Sequence, residues 1–125
     1  MDQPLGLAIG NSIEVIEAAE TLKGRGHEDL LSLCLEFASE MMRLAEIEKD
    51  KSKALERLKE SIDSGKALNQ FKEIIASQGG DPKVLDDYSL LPKAKFELEV
   101  KAPIDGFIKQ IEHTIRPHQH ENRRW

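Results

Sequence analysis

The sequence has 125 residues, 39% hydrophobic and 33% charged, the size and composition of one soluble domain with a core of its own, which excludes a disordered or collagen-like chain. A formal net charge of -5 argues against a nucleic-acid footprint, and no apolar run approaches the roughly 20 residues that a membrane span needs. The single cysteine, Cys34, excludes an internal disulfide and a multi-cysteine zinc site. With no basic region followed by an apolar stretch at its start, the chain is expected in the cytoplasm.

No internal repeat or low-complexity tract interrupts the chain. Residues 5–10, Leu-Gly-Leu-Ala-Ile-Gly, are apolar and glycine-rich. Asn11 and Glu14 then match a capping box, with Ser12 as a competing cap. Ile13, Ile16, Ala19 and Leu22 recur at helical spacing up to Gly24, which predicts a helix over 12–23. The next segment, from Glu28 to about Glu48, carries the strongest helical pattern. Leu30, Cys34, Phe37, Ala38, Met41 and Ala45 form one stripe, and Leu31, Leu35, Met42 and Leu44 widen it, so this helix is expected at the centre of the fold. Asp50 and Ser52 open a third helix, lined by Ala54, Leu55, Leu58 and Ile62 and closed by Gly65. A fourth runs from Ala67 to about Ser77, with Leu68, Phe71, Ile74 and Ile75 inward and Gly79-Gly80 as its stop. Residues 81–92 read as a linker.

The period then changes. Phe96, Leu98 and Val100 alternate with Glu97, Glu99 and Lys101, which is strand spacing. Asp105-Gly106 reads as a turn and Phe107, Ile108 and Ile111 as a second strand, together a hairpin. From Thr114 the apolar signal nearly disappears. The expected class is therefore mainly α with a C-terminal β-hairpin, in four parts: a helical segment over 1–80, a linker over 81–94, the hairpin over 95–112 and a tail over 113–125.

Few side chains point to chemistry by type and spacing alone. Cys34, mid-stripe, reads as a buried structural thiol, and Met41-Met42 as core. His27 reads as solvated in a turn. Asp86-Asp87 reads as a turn or cap pair, and His118 and His120 as adventitious metal binders in a polar tail. Arg123-Arg124-Trp125 is too short for a nucleic-acid patch. Leu5 to Asn11 is a Gly-containing loop before a helix, yet it has neither Walker spacing nor a lysine to hold phosphate. Glu17, by type alone, is a solvated helix glutamate.

Several stretches read together resemble one family. These are Met1-Asp2-Gln3-Pro4-Leu5-Gly6 followed by Gly10-Asn11 and Glu14-Val15; Glu20-Thr21-Leu22-Lys23-Gly24 with Asp29-Leu30; Ser64-Gly65-Lys66-Ala67-Leu68; Gln78-Gly79-Gly80-Asp81 with Asp86-Asp87; and Leu91-Pro92 leading to Ala102-Pro103 and Asp105-Gly106-Phe107. In this order and at this spacing the chain resembles the pyrimidine-nucleoside and thymidine phosphorylases from Met1 to about Glu112.

The resemblance implies part of a longer enzyme: the last helices of its α/β domain joined to the start of its β-rich C-terminal domain. Such enzymes convert a pyrimidine nucleoside and phosphate into a base and a pentose 1-phosphate. Their Lys-His-Ser-Thr-Gly-Gly phosphate loop and their base-holding arginine, serine and lysine have no counterpart here, so no catalytic or substrate-binding residue is assigned and the chain alone is expected to be inactive. Residues 113–125 depart from the family. The resemblance also implies a partial potassium site, with the backbone carbonyls of Leu5 and Ala8 and the carboxylate of Glu17 as ligands. A phosphoribosyltransferase piece fits the opening and the Asp-Gly-Phe hairpin less well. The alternative function is a non-catalytic helical interaction module. The partners expected are nucleoside and phosphate in the longer enzyme, no nucleic acid and no membrane. Self-association is expected through apolar surface left uncovered on the second helix.

Overall fold

The computed structural model describes residues 5–106. By internal contacts they divide into a body, Leu5–Glu97, and a second unit of which residues 98–106 are described. The body holds four helices, α1 (Asn11–Leu22), α2 (Glu28–Leu44), α3 (Lys51–Asp63) and α4 (Lys66–Ser77), then two 3-10 turns, Pro82–Leu85 and Tyr88–Leu90. Successive helices pack on one another: α2 on α3, α3 on α4, and α4 on both α1 and the first 3-10 turn. Among the described residues no helix is long and apolar enough to cross a membrane.

The caps explain where each helix begins and ends. α1 starts one residue earlier than its sequence pattern predicts. Gly10 is the N-cap, and Glu14 reaches back so that its Oε1 accepts the Gly10 N–H at 2.7 Å. The Asp50 carboxylate caps α3, accepting the N–H groups of Ser52 at 2.9 Å and Lys53 at 3.1 Å, as expected of a short acidic side chain at that position. At the end of α1, Gly24 takes a φ of 75°. Its N–H donates to Thr21 at 3.0 Å while the Arg25 N–H donates to Glu20 at 2.8 Å, so the last carbonyls are satisfied.

α2 ends at Leu44, four residues before the predicted stop, by the same geometry without a glycine. Glu46 adopts a φ of 57°, its N–H donates to Arg43 at 3.1 Å, and the Ile47 N–H donates to Met42 at 3.0 Å. A residue with a Cβ pays a steric penalty in that left-handed region, which is why the apolar pattern runs on past a stop it does not announce.

Small side chains make the closest helix contacts. Ala19 and Ala54 are fully buried, Ser39 and Thr21 nearly so, and Leu85 is the largest side chain with no exposure. α2 is not central: it packs chiefly on α3, through the side that carries Leu35 and Ser39. Cys34 and Met41 are exposed, which corrects the reading of both as core. Residues 81–92 are more than a linker, since Leu85 anchors them in the body. The expected first strand, 96–101, forms no ladder among the described residues, and its side chains Phe96, Leu98 and Val100 are exposed. The expected second strand lies outside the described residues, as do Met1 to Pro4, His118, His120 and the rest of the 113–125 tail.

Glu46→Gly is expected to stabilise the body by about 1 kcal/mol, because it removes the Cβ penalty at φ 57°. Glu46→Val should destabilise it. Paired thermal melts of the two variants and the parent chain check the sign.

Candidate functional site

The loop before α1 folds back on the helix it opens. Gly6, at a φ of 74°, turns the chain so that the Leu7 and Ala8 N–H groups face α1. The Glu17 side chain, two turns into the helix, reaches them: its Oε1 accepts from Leu7 at 2.6 Å and from Ala8 at 3.2 Å. The carboxylate lies directly over Gly6, where a Cβ would sit 2.3 Å from Oε2. Glycine is thus required twice at that position, for its φ and for the room. Glu17 Oε2 makes no hydrogen bond among the described residues. The loop's apolar side chains Leu5, Leu7 and Ile9 are exposed.

Of the three expected ligands, Ala8 and Glu17 meet, through the Ala8 N–H, while Leu5 lies in the same loop, next to Gly6. The observed link is an acceptor carboxylate holding loop amides, a contact that spacing alone does not reveal. As a donor set, one carboxylate and loop carbonyls are hard oxygens, the kind that a hard cation takes. Among the described residues no three histidine, cysteine, aspartate or glutamate side chains gather in a way that holds a metal.

A second polar cluster ties α1 to the 3-10 turns. The Lys23 ammonium donates to the Leu85 carbonyl at 2.7 Å and to the Tyr88 hydroxyl at 2.8 Å, and lies 4.7 Å from the centre of the Tyr88 ring. Tyr88 in turn donates to Glu20 Oε1. Glu20 also accepts a two-pronged contact from Arg25, at 2.7 and 2.9 Å. The Arg25 hydrogen bonds, then that of Tyr88, pull the Glu20 carboxyl down to about 2. The hydrogen bond to Tyr88 raises Lys23, and burial raises the Tyr88 hydroxyl. Each shift favours the ionic form of Glu20 and Lys23 and the neutral phenol, the combination that the geometry needs.

Nothing in its sequence context marks Tyr88 as a functional residue; the local signals are caps, Asp81 before Pro82 at the start of the first 3-10 turn, where it accepts the Lys83 N–H at 3.0 Å, and Asp87 directly before Tyr88. Asp87 has the expected cap role, accepting the Ser89 N–H at 2.9 Å. Asp86 instead pairs with Lys72 of α4 at 2.7 Å. His27 is exposed at the N-cap of α2 without a side-chain capping bond.

Over 111 residues, 89% of its length, the chain is 48% identical to the pyrimidine-nucleoside phosphorylase of Geobacillus stearothermophilus. It is 47% identical over the same length to that of Staphylococcus epidermidis and 45% to that of Bacillus subtilis. The chain is a homologue of the pyrimidine-nucleoside phosphorylases. It spans about a quarter of their length, 26% of each. No family model matches it.

Tyr88→Phe should destabilise the chain by about 1–2 kcal/mol, because it leaves Lys23 and Glu20 each short of a partner. The Glu20 carboxyl is lower in the folded chain than in the unfolded one, so its contribution is present above about pH 4.5 and is lost as pH falls towards about 2. Lys23 and Tyr88 are both raised, so their contribution is present below pH 10 and lost as pH rises through their folded values. Denaturant midpoints measured from pH 2 to pH 7 should fall steeply below pH 4.5 in the parent chain and less steeply in Glu20→Gln.

Proposed function

We propose that this chain is the part of a pyrimidine-nucleoside phosphorylase that frames a potassium ion beside the phosphate site, with the phosphate and base ligands supplied by residues outside this sequence. The observation that carries the reading is the 48% identity over 111 residues to the Geobacillus stearothermophilus enzyme. In the reaction, a phosphate oxygen attacks the anomeric carbon, the glycosidic C–N bond breaks, and the base leaves with the electron pair and takes up a proton. Potassium, when bound, supplies fixed positive charge near the anionic reactant.

This chain's residues hold and orient. The Leu5 and Ala8 carbonyls and the Glu17 carboxylate are the ligands in this reading. The Glu17 contacts to the Leu7 and Ala8 N–H groups support it, because they hold the loop and this carboxylate in one geometry. The folded pose then persists without the ion, and Oε2 is the oxygen left to turn towards it. A cytoplasmic location goes with nucleoside salvage. The rival reading, a non-catalytic helical module, draws on the exposed apolar stripe of α2.

The test is a chimera in which the aligned 111 residues of the Geobacillus stearothermophilus enzyme are replaced by those of this chain. Phosphate-dependent release of uracil from uridine is expected from the chimera, and none from the 125-residue chain alone. The chimera should melt a few degrees higher in potassium than in sodium chloride. Glu17→Gln in the chimera should remove that difference, and the isolated chain should show little ion preference. A folded chimera without phosphorolysis would favour the helical module. Equal melting in both salts would remove the cation from the reading while leaving the enzyme assignment in place.

A further inference from the structure

α1 is held at one end. Its two buried residues, Ala19 and Thr21, both lie in the last turn. At the other end Asn11, Ile13 and Glu14 are exposed, and so are the loop side chains Leu5, Leu7 and Ile9. The loop nevertheless travels with the helix, because Glu17 holds the Leu7 and Ala8 N–H groups and Glu14 holds that of Gly10. The direction of α1 therefore places the loop. A helix of 12 residues is about 18 Å long, so a tilt of about 5° about the last turn carries its first turn by about 1 Å. A displacement of about 1 Å at a reacting site can cost about a hundredfold in rate.

The Tyr88 hydroxyl opposes that tilt. It accepts from the Lys23 ammonium at 2.8 Å and donates to Glu20 Oε1, so it grips α1 at two points, the last turn and the C-cap. One contact lets a helix swing about it; a second, with the packing of α1 on α4, stops the swing. The grip requires that Tyr88 itself be fixed. Leu85, three residues earlier, is fully buried, Lys72 of α4 holds Asp86 at 2.7 Å, and Asp87 accepts the Ser89 N–H at 2.9 Å.

We propose that Tyr88 is a positioning residue for the Glu17 loop: by fixing the direction of α1 through Glu20 and Lys23, it sets where the Leu5 and Ala8 carbonyls and the Glu17 carboxylate lie. The consequence, resting on the cation reading of that loop, is that a phenol which does not touch the loop governs how well it takes up potassium.

The tilt is measured in the 125-residue chain by residual dipolar couplings of the backbone amides. In the parent chain the couplings of α1, α3 and α4 should fit one common orientation. In Tyr88→Phe, which keeps the ring over Lys23, α3 and α4 should keep theirs while α1 swings by about 5° or more. Lys23→Gln, which removes the other partner in the grip, should swing α1 likewise. Ala54→Gly, which loosens the body by a comparable amount at α3, should not. The effect on the site is read in the chimera with the Geobacillus stearothermophilus enzyme, as the difference in melting temperature between potassium and sodium chloride. Tyr88→Phe should reduce that difference to about half or less, and Ala54→Gly should leave it unchanged. An α1 that keeps its direction in both Tyr88→Phe and Lys23→Gln overturns the proposal, as does a swung α1 with the potassium difference intact. A parent chimera with no potassium difference removes the cation alone, and the swing of α1 still decides the positioning role.

Discussion

One ammonium group holds the last part of the body to the first. Lys23 sits at the C-cap of α1, and its Nζ bonds a backbone carbonyl 62 residues away and a phenol 65 residues away. Its side chain is only 18% exposed, and a half-sheltered charge of this kind is tolerated only when its hydrogen-bond capacity is met. The Leu85 carbonyl, the Tyr88 hydroxyl and ring, and the Glu20 carboxylate meet it together. From the other side Lys72 of α4 grips Asp86. The two 3-10 turns are thus pinned by a cation on each flank, with Leu85 buried between them. What would otherwise be a loose connection is a fixed part of the body.

The same helix that carries the clamp carries the loop contact. Glu17, Glu20 and Lys23 lie at intervals of three along α1 and its cap, so one helix orients a carboxylate towards the N-terminal loop and a carboxylate–ammonium pair towards the 3-10 turns. The loop is held by hydrogen bonds to side chains more than by burial: its apolar side chains are exposed, while its amides are bound by Glu17 and Glu14.

Much was legible in the sequence because the signals are local. Four helices follow from apolar spacing, Asp50 caps one through two adjacent amides, and Gly24 and Gly79 end two others. Family resemblance was legible for the same reason: short stretches in a fixed order need no three-dimensional information. By type alone Glu17 is a solvated helix glutamate, and only the family resemblance tied it to the loop.

Tertiary structure decided the rest. Which apolar side of α2 is buried depended on where α3 lies, and a pattern apolar around most of a helix does not say; Leu35 and Ser39 face inward while Phe37 and Met41 do not. The end of α2 at Leu44 rests on Glu46 taking a left-handed conformation that no glycine announces. Tyr88, Lys23 and Glu20 form one network only because α4 returns the chain to α1, a pairing across 65 to 68 residues that no local spacing encodes. The sequence by itself determined the helices, three of their caps and the family likeness, since these depend on neighbours within a few residues. The exposed face of α2, the anchoring of Leu85 and the clamp were decided by tertiary packing, because burial and long-range hydrogen bonds exist only once distant segments share space.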